Sequence, residues 1–275
     1  MQTPASVKGT EMLKRTLATA IASVALLTVG AALAQPPQVD QTPAGPAPVN
    51  AQGRVLLQGA TPADKGVWTP VFGILDPIAP VDVVPFKPWA RALYDDRQKH
   101  ELEPHARCKA SGAARQFLTP YGVEFVEMPA LGRLYIFDIG GPHTYRTIYM
   151  DGRSHPTDFE PTNYGHSVGW WEGNTLVVDT VGYNEDFWLD RRGLPHTEQL
   201  HTIERFTRID ERTIEYRITV DDPKAYDGQW TGGFNLRWNP GVELFEYVCQ
   251  QANYAHELMV GQESTSVDRS SPIVP

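Results

Sequence analysis

From residue 122 onward, apolar and polar side chains alternate in short runs that are separated by turn residues. A period of two is typical of β-strands with one buried face. The pairs Asp151-Gly152, Gly173-Asn174 and Asp227-Gly228 are hairpin signals between such runs. The pattern therefore predicts nine strands: 122–128, 133–139, 144–150, 165–171, 175–182, 200–209, 213–220, 229–238 and 242–250.

Short connections without intervening helices favour an all-β fold, and the order of the strands favours a meander. We therefore expect an antiparallel up-and-down β-barrel of the lipocalin or calycin type. The two longer connections, 151–164 and 183–199, are expected at one mouth of this barrel.

The chain before residue 122 follows a different pattern. Residues 67–88 contain five prolines, which predicts an extended arm outside the central strands. Pro88 to Lys99 predicts one short α-helix, because proline suits the first helical turn and Trp89 and Leu93 are an apolar pair four residues apart. Residues 101–120 are expected to be irregular.

The N-terminus has the features of a cleavable export signal. Basic residues precede an apolar run at 16–30, and Ala32-Leu33-Ala34 suits cleavage after Ala34. This predicts a signal peptide at 1–34 and a periplasmic or secreted protein. The remaining boundaries are a disordered proline-rich spacer at 35–66, a single barrel domain at 67–261 with the arm and helix, and a disordered tail at 262–275.

Charge and motifs narrow the class of partner. The net charge is −9 and no basic run is present, which argues against nucleic acid as a partner. No glycine-rich phosphate loop and no CxxC pair occurs, and no cofactor is expected. A small-molecule ligand or substrate is therefore the expected partner, with no stable membrane span once the signal is cleaved.

The chain has two cysteines, Cys108 and Cys249. In an exported protein an even count predicts a disulfide, which would close a loop of about 140 residues. The alternative is two buried free thiols.

The hairpin around Gly173-Asn174 brings candidate site residues together. If these two residues form the turn, Val168 pairs with Asp179, and His166 lies on the same face, diagonal to Asp179. A one-residue shift of the register would separate the histidine from the carboxylate.

The hairpin around Glu211-Arg212 predicts an internal polar site. With these two residues as the loop, His201 and Arg205 share the apolar face of Ile214 and Tyr216, and His201 lies opposite Asp222. A buried arginine is costly unless it is paired or faces a water-filled cavity.

Polar residues on the predicted inner faces are candidates for catalysis, and aromatic residues in or beside the strands are candidates for ligand binding. The catalytic set is His166, Asp179, His201, Arg205 and Asp222, and the ligand-binding set is Tyr145, Tyr149, Trp170, Tyr216, Trp230 and Trp238. The same polar residues could instead serve only to lock the barrel. His143 and His155 are expected in turns or at the rim. His196, Glu198 and His201 resemble metal-ligand spacing, but Pro195 argues against the required helix, so no metal site is predicted.

Long segments of the chain resemble a family of exported, β-rich bacterial proteins to which no activity is attached. They include GHSVGWWEGNTLVVDTVGYN (165–184) and WLDRRGLPHTEQLHTIER (188–205), and also IYMDGRSHP (148–156), DDPKAY (221–226), EYVCQQ (246–251), PWARALYDDRQ (88–98) and PHARC (104–108). The segment at 122–138 departs most from the expected pattern. The resemblance covers about residues 67–261. It implies a shared exported fold and no catalytic residues.

Three functions fit these observations. The first is binding of a small, partly apolar ligand in the barrel cavity. The second is a cofactor-independent lyase, isomerase or hydrolase in the same cavity, with a histidine as general base and Arg205 stabilising an oxyanion. The third is a structural or partner-binding protein of the cell envelope that uses the proline-rich arm.

Overall fold

A computed structural model describes residues 44–71, 76–140, 144–247 and 249. The predicted signal peptide, the first part of the predicted spacer, His143 and the predicted tail 262–275 lie outside these residues. Within them, nine strands form one closed barrel in which neighbours in sequence are neighbours in space. The predicted all-β barrel with one α-helix is confirmed.

Eight of the predicted strands are present, with ends shifted by one or two residues. The elements are β1 (Gly66–Pro70), α1 (Pro88–His100), β2 (Val123–Met128), β3 (Arg133–Asp138), β4 (Tyr145–Tyr149), β5 (His166–Glu172), β6 (Thr175–Val181), β7 (His201–Arg208), β8 (Thr213–Asp221) and β9 (Trp230–Pro240). The prediction of a strand at 242–250 is wrong, because its described residues 242–247 are not in a strand.

The ninth strand comes from the segment that was predicted to be an arm. β1 pairs along its whole length with β9 and at Trp68 with β2, and so closes the barrel. Pro70 ends the strand, a position that a proline tolerates because the hydrogen-bonded ladder stops there.

Residues 44–65, which were predicted to belong to a disordered spacer, pack on the barrel. Val55 and Leu57 are fully buried. The Trp68 indole N–H donates to the Leu57 carbonyl at 2.7 Å, and Arg54 forms an ion pair with Glu127 at 2.6 Å. The segment is therefore held on the barrel by two buried aliphatic side chains, a hydrogen bond and an ion pair.

The meander contains one parallel pair. In a closed ring of strands the number of antiparallel neighbours must be even, so nine strands require at least one parallel contact. β4 and β5 form it, and the other eight contacts are antiparallel. Parallel neighbours need a long crossover, and residues 150–165 provide it. The prediction that all neighbouring strands are antiparallel is therefore wrong for β4 and β5.

A segment that precedes β2 fills part of the barrel interior. A short 3-10 helix, Ala113–Phe117, is buried at every residue. The Phe117 ring lies 5.0–6.4 Å from four rings on strands around the barrel, those of Phe125, Phe206, Tyr216 and Phe234. The irregular segment that was predicted at 101–120 therefore supplies a plug for the barrel.

The predicted helix and disulfide are both confirmed. In α1 the buried side chains are Ala90 and Tyr94, whereas Trp89 of the predicted apolar pair is 44% exposed. Cys108 and Cys249 are bonded, with their Cα atoms 5.7 Å apart. Among the described residues no helix is long and apolar enough to cross a membrane.

Candidate functional site

The hairpin around Gly173-Asn174 has the predicted register, but His166 and Asp179 lie on the outer face of the barrel. Val168 pairs with Asp179 and His166 with Val181, as predicted. The fully buried residues of this hairpin include the alternate ones, Ser167 and Thr180. His166 and Asp179 therefore face outward, and their predicted place in the cavity is wrong. Both faces are partly apolar because a loop covers the outer one, so hydrophobicity alone did not distinguish them.

The second predicted hairpin has a register shifted by one residue. His201 pairs with Asp221 and Arg205 with Arg217, because the loop has three residues, 210–212, and is closed by a hydrogen bond from the Ile209 N–H to the Thr213 carbonyl. A shift of one residue moves every side chain to the opposite face. His201 and Arg205 consequently face outward. The inward residues of β7 are Thr202, Glu204, Phe206 and Arg208.

Arg205 and Asp222 do not contact His166, Asp179 or His201 among the described residues, and each has other partners. Arg205 pairs with Glu172 at 2.5 Å, and both side chains are more than 40% exposed. Asp222 is buried and accepts hydrogen bonds from the backbone N–H and the hydroxyl of Thr197, at 2.6 and 2.9 Å, and from the N–H of Ala225. It therefore holds the turn that leads into β7.

The crossover 150–165 lies over the outer face of β5 and β6. It is held by backbone hydrogen bonds from Thr162 to Gly182 (3.0 Å) and from Asn184 to Thr162 (2.9 Å). The Phe159 ring occupies the place of a side chain at residue 182, where an added Cβ would lie 1.7 Å from the ring. Gly182 also has φ +76°, which favours glycine. This fixed path brings His155 to the barrel surface.

Three histidines and one carboxylate meet there, and we call them the outer-face histidine cluster: His155, His166, Asp179 and His201. The Nε2 atoms of His201 and His155 lie 2.8 and 3.3 Å from the same oxygen, Oδ1 of Asp179. The Nδ1 atoms of His155 and His166 lie 2.8 Å apart. The cluster is half-buried, and the side chain of His201 is 39% exposed, against 21% for His155 and 25% for Asp179.

The carboxylate determines where the protons are. An ionised Asp179 can only accept, so His155 and His201 each donate Nε2–H to it. Neutral His155 then accepts at Nδ1, which requires His166 to donate its own Nδ1–H. This arrangement leaves the lone pairs of His166 Nε2 and His201 Nδ1 without a hydrogen-bond partner in the described part of the chain.

The surroundings favour the neutral form of His166. Burial, followed by the nearby His155 and Arg153, lowers its pKa, while Asp151 opposes the change. The Tyr149 ring stacks on His166 at 5.0 Å, and the Arg153 guanidinium lies 3.9 Å from the centre of the Tyr149 ring. A neutral imidazole with a free lone pair is a proton acceptor near pH 7.

The predicted aromatic set does not form one pocket. Tyr149 contacts the outer-face histidine cluster. The other five are distributed elsewhere: Tyr145 and Trp170 are exposed on the outer face, Tyr216 and Trp230 are buried, and Trp238 is half-buried beside Trp68.

The strands do carry inward arginines, but they are Arg208 of β7 and the more deeply buried Arg146 of β4. Arg146 forms an ion pair with Glu204, and both side chains are at most 1% exposed. Arg146 also donates to Thr180 at 2.7 Å and to Ser167 at 3.0 Å, and the Tyr216 hydroxyl donates to Glu204 at 2.9 Å. Buried charges are tolerated when they are paired and hydrogen-bonded in this way.

Asp138 lies at the end of β3, two pairs along the ladder from Arg146. Its Oδ2 accepts from the Tyr164 hydroxyl at 2.5 Å. Burial raises the pKa of Asp138 to about 7, although hydrogen bonds from Tyr164, Gln116 and Thr144 act against this. Three buried atoms here have no hydrogen-bond partner among the described residues: Asp138 Oδ1, Gln116 Oε1 and Arg146 Nη1.

Asp138→Asn should make the stability of the protein less dependent on pH. The folded carboxyl keeps a proton that the unfolded chain releases above about pH 4, so its contribution is lost as the pH rises towards 7. Relative to the variant, the wild type should lose about 2–3 kcal/mol of unfolding free energy between pH 5 and pH 8, with no further change above about pH 8. Urea titrations across this range measure it, and a constant difference would contradict the raised pKa.

The described residues contain no group of three or more histidine, cysteine, aspartate or glutamate side chains arranged to hold a metal ion. His196, part of the metal-like spacing, is buried, and its Nε2–H donates to the Phe187 carbonyl at 2.9 Å. Burial lowers the pKa of His196 to about 4. It is therefore a core residue at a distance from the outer-face cluster.

The sequence prediction missed His155 and Arg146. His155 was expected at a rim, and only the need for a crossover between parallel strands indicates that its loop must cross the barrel. Arg146 and Ile148 are two residues apart in a strand, so their side chains lie on the same face. This spacing indicated an inward arginine. Tyr145, Thr147 and Tyr149 suit a buried face equally well, so the alternation of side chains did not show which face is the inner one.

Comparisons with known proteins found no matching family model, no similar curated protein and no similar solved structure. The resemblance to a family of exported bacterial proteins therefore stays a prediction, and any assignment of function rests on the geometry of the site.

Proposed function

We propose that this is an exported protein that catalyses a proton-transfer reaction, of the isomerase, lyase or hydrolase type, on a small molecule at the outer-face histidine cluster. The observation that carries the proposal is the shared carboxylate oxygen of Asp179. It fixes the protons of two histidines and leaves two ring nitrogens with free lone pairs.

Each residue then has a defined task. His166 Nε2 removes a proton from the substrate or from an attacking water. The resulting imidazolium is stabilised through His155 by Asp179, which is the usual role of a carboxylate behind a catalytic histidine. His201 Nδ1 accepts a second proton or, once protonated, returns one. In this scheme His166 and His201 are the catalytic residues, and His155 and Asp179 position them.

A deuterium-exchange assay tests the proposal without knowledge of the natural substrate. The probe is phenylacetone in D₂O, with exchange of its α-protons followed by NMR. The wild type should accelerate exchange, and His166→Asn should reduce the acceleration by about a hundredfold or more. Asp179→Asn should shift the pH profile, because it changes the tautomer of the histidines.

The chain offers a matched control for this assay. His100 on α1 is an exposed histidine whose Nδ1 lies 2.6 Å from an oxygen of Asp96. His100→Asn should leave the exchange rate unchanged. Equal rates in the wild type, His166→Asn and His201→Asn would show that the cluster does not transfer protons.

A second candidate function is binding of a small ligand inside the barrel. The unpartnered buried atoms of Arg146, Asp138 and Gln116 favour it, because a guest with both donors and acceptors would satisfy them. A crystal structure of the protein purified from its own host distinguishes the two candidates. Density larger than water between these groups would support interior binding, and water alone would argue against it.

A further inference from the structure

Two guanidinium groups lie beside the ring that stacks on His166. Arg153 lies 3.9 Å and Arg133 lies 5.6 Å from the centre of the Tyr149 ring. The charge of Arg153 is neutralised by Asp151, with two nitrogen–oxygen distances of 2.5 and 2.9 Å. The hydrogen bond to the Tyr135 side chain raises the pKa of Arg133, while burial and the neighbouring Arg153 oppose the change.

Arg133 differs from its neighbour because it has no carboxylate partner in the described part of the chain. Its Nη1 donates to the Tyr135 hydroxyl at 3.3 Å. Its Nε is buried and makes no hydrogen bond to a described residue. In a chain of net charge −9 this is a local positive charge that an anion could neutralise.

The surface next to Arg133 is apolar. Met128 is its direct partner across β2 and β3 and is 42% exposed. Leu131, in the turn between these strands, is 54% exposed. Met128 and Tyr149 flank Arg133 on the two neighbouring strands, so a ligand held by Arg133 would have apolar side chains on both sides.

We propose that the outer-face site takes a small carboxylate with an apolar or aromatic remainder, and that Arg133 binds the carboxylate. This rests on the proposed function, since it places the substrate alongside the Tyr149 ring, with its carboxylate at Arg133 and its remainder reaching His166. Arginine suits the task because its planar guanidinium can donate two parallel hydrogen bonds to a carboxylate.

Binding of two unreactive probes tests this. The anionic probe is 3-phenylpropionate and the neutral one is its amide, 3-phenylpropanamide, each titrated into the full protein while histidine and backbone NMR signals are followed. The wild type should bind the carboxylate more tightly than the amide and show shifts at Tyr149 and His166. Arg133→Met should weaken binding of the carboxylate about ten- to a hundredfold and leave the amide unchanged.

Two further variants keep the result interpretable. Arg133→Lys retains the charge and should keep part of the preference, which separates a binding role from a folding role. Arg217→Met is the matched control, because Arg217 is an exposed arginine on the outer face of β8 that is paired with Glu215 at 2.7 Å. It should bind both probes like the wild type.

The outcomes separate this inference from the proposed function. Equal affinity for both probes, no binding of either, or an unchanged preference in Arg133→Met would overturn the inference, even if proton exchange is observed. A carboxylate preference that depends on Arg133, in a protein that shows no proton exchange, would uphold the binding site and reject the catalytic role.

Discussion

Arg146→Met should lower the free energy of unfolding by about 3–5 kcal/mol, because it leaves the carboxylate of Glu204 buried without a counter-charge. The methionine fills much of the volume, so the loss reports mainly on the uncompensated charge and on the hydrogen bonds to Thr180 and Ser167. Urea or guanidinium denaturation at pH 7 measures it.

Two further variants are controls for this prediction. Arg205→Met removes an arginine whose pair with Glu172 is about half exposed, and it should cost at most about 1 kcal/mol. The double variant Arg146→Met/Glu204→Gln should recover part of the loss, because no buried charge remains. Equal losses of unfolding free energy in Arg146→Met and Arg205→Met would mean that Arg146 does not lie in the barrel interior.

Removing the disulfide should have a similarly large effect. The bond joins residues 141 positions apart. The chain-entropy model assigns about 5 kcal/mol to a loop of that length, mostly through restriction of the unfolded chain. Cys108→Ala/Cys249→Ala should therefore lower the unfolding free energy by about 4–5 kcal/mol.

A reductant supplies the control for the disulfide prediction. The wild type under dithiothreitol should become as unstable as the double variant, and the variant itself should not respond. A loss below about 1 kcal/mol would show that the cross-link restrains only the segment around residue 249 and not the unfolding of the barrel.

Most of the strands were predictable because the period-two pattern is local. The turn Gly173-Asn174 set the register between β5 and β6, and the structure confirms it. The register of the hairpin at 210–212 was not predictable in the same way, because two- and three-residue loops fit the same residues and differ by one residue in pairing. That single residue moved His201 and Arg205 from the predicted interior to the surface.

The candidate site was predicted in part. His166, Asp179 and His201 do meet, but on the outside of the barrel and around His155, which was not expected in the group. Arg205 and Asp222 do not join them. The sequence pattern placed residues on a common face but could not say which face was inside, because the crossover 150–165 covers one and the plug residue Phe117 contacts the other.

Side-chain periodicity, turn residues and simple counting were sufficient to predict eight of the nine strands, the helix, the cysteine pair and the pairing between the strands of His166 and Asp179. The three-dimensional arrangement was needed to show that residues 66–70 close the barrel in place of 242–250, that this ring contains one parallel pair, and that the resulting crossover brings His155 to Asp179. Closure of a ring and the choice of its inner face depend on all the strands at once, so no local stretch of sequence encodes them.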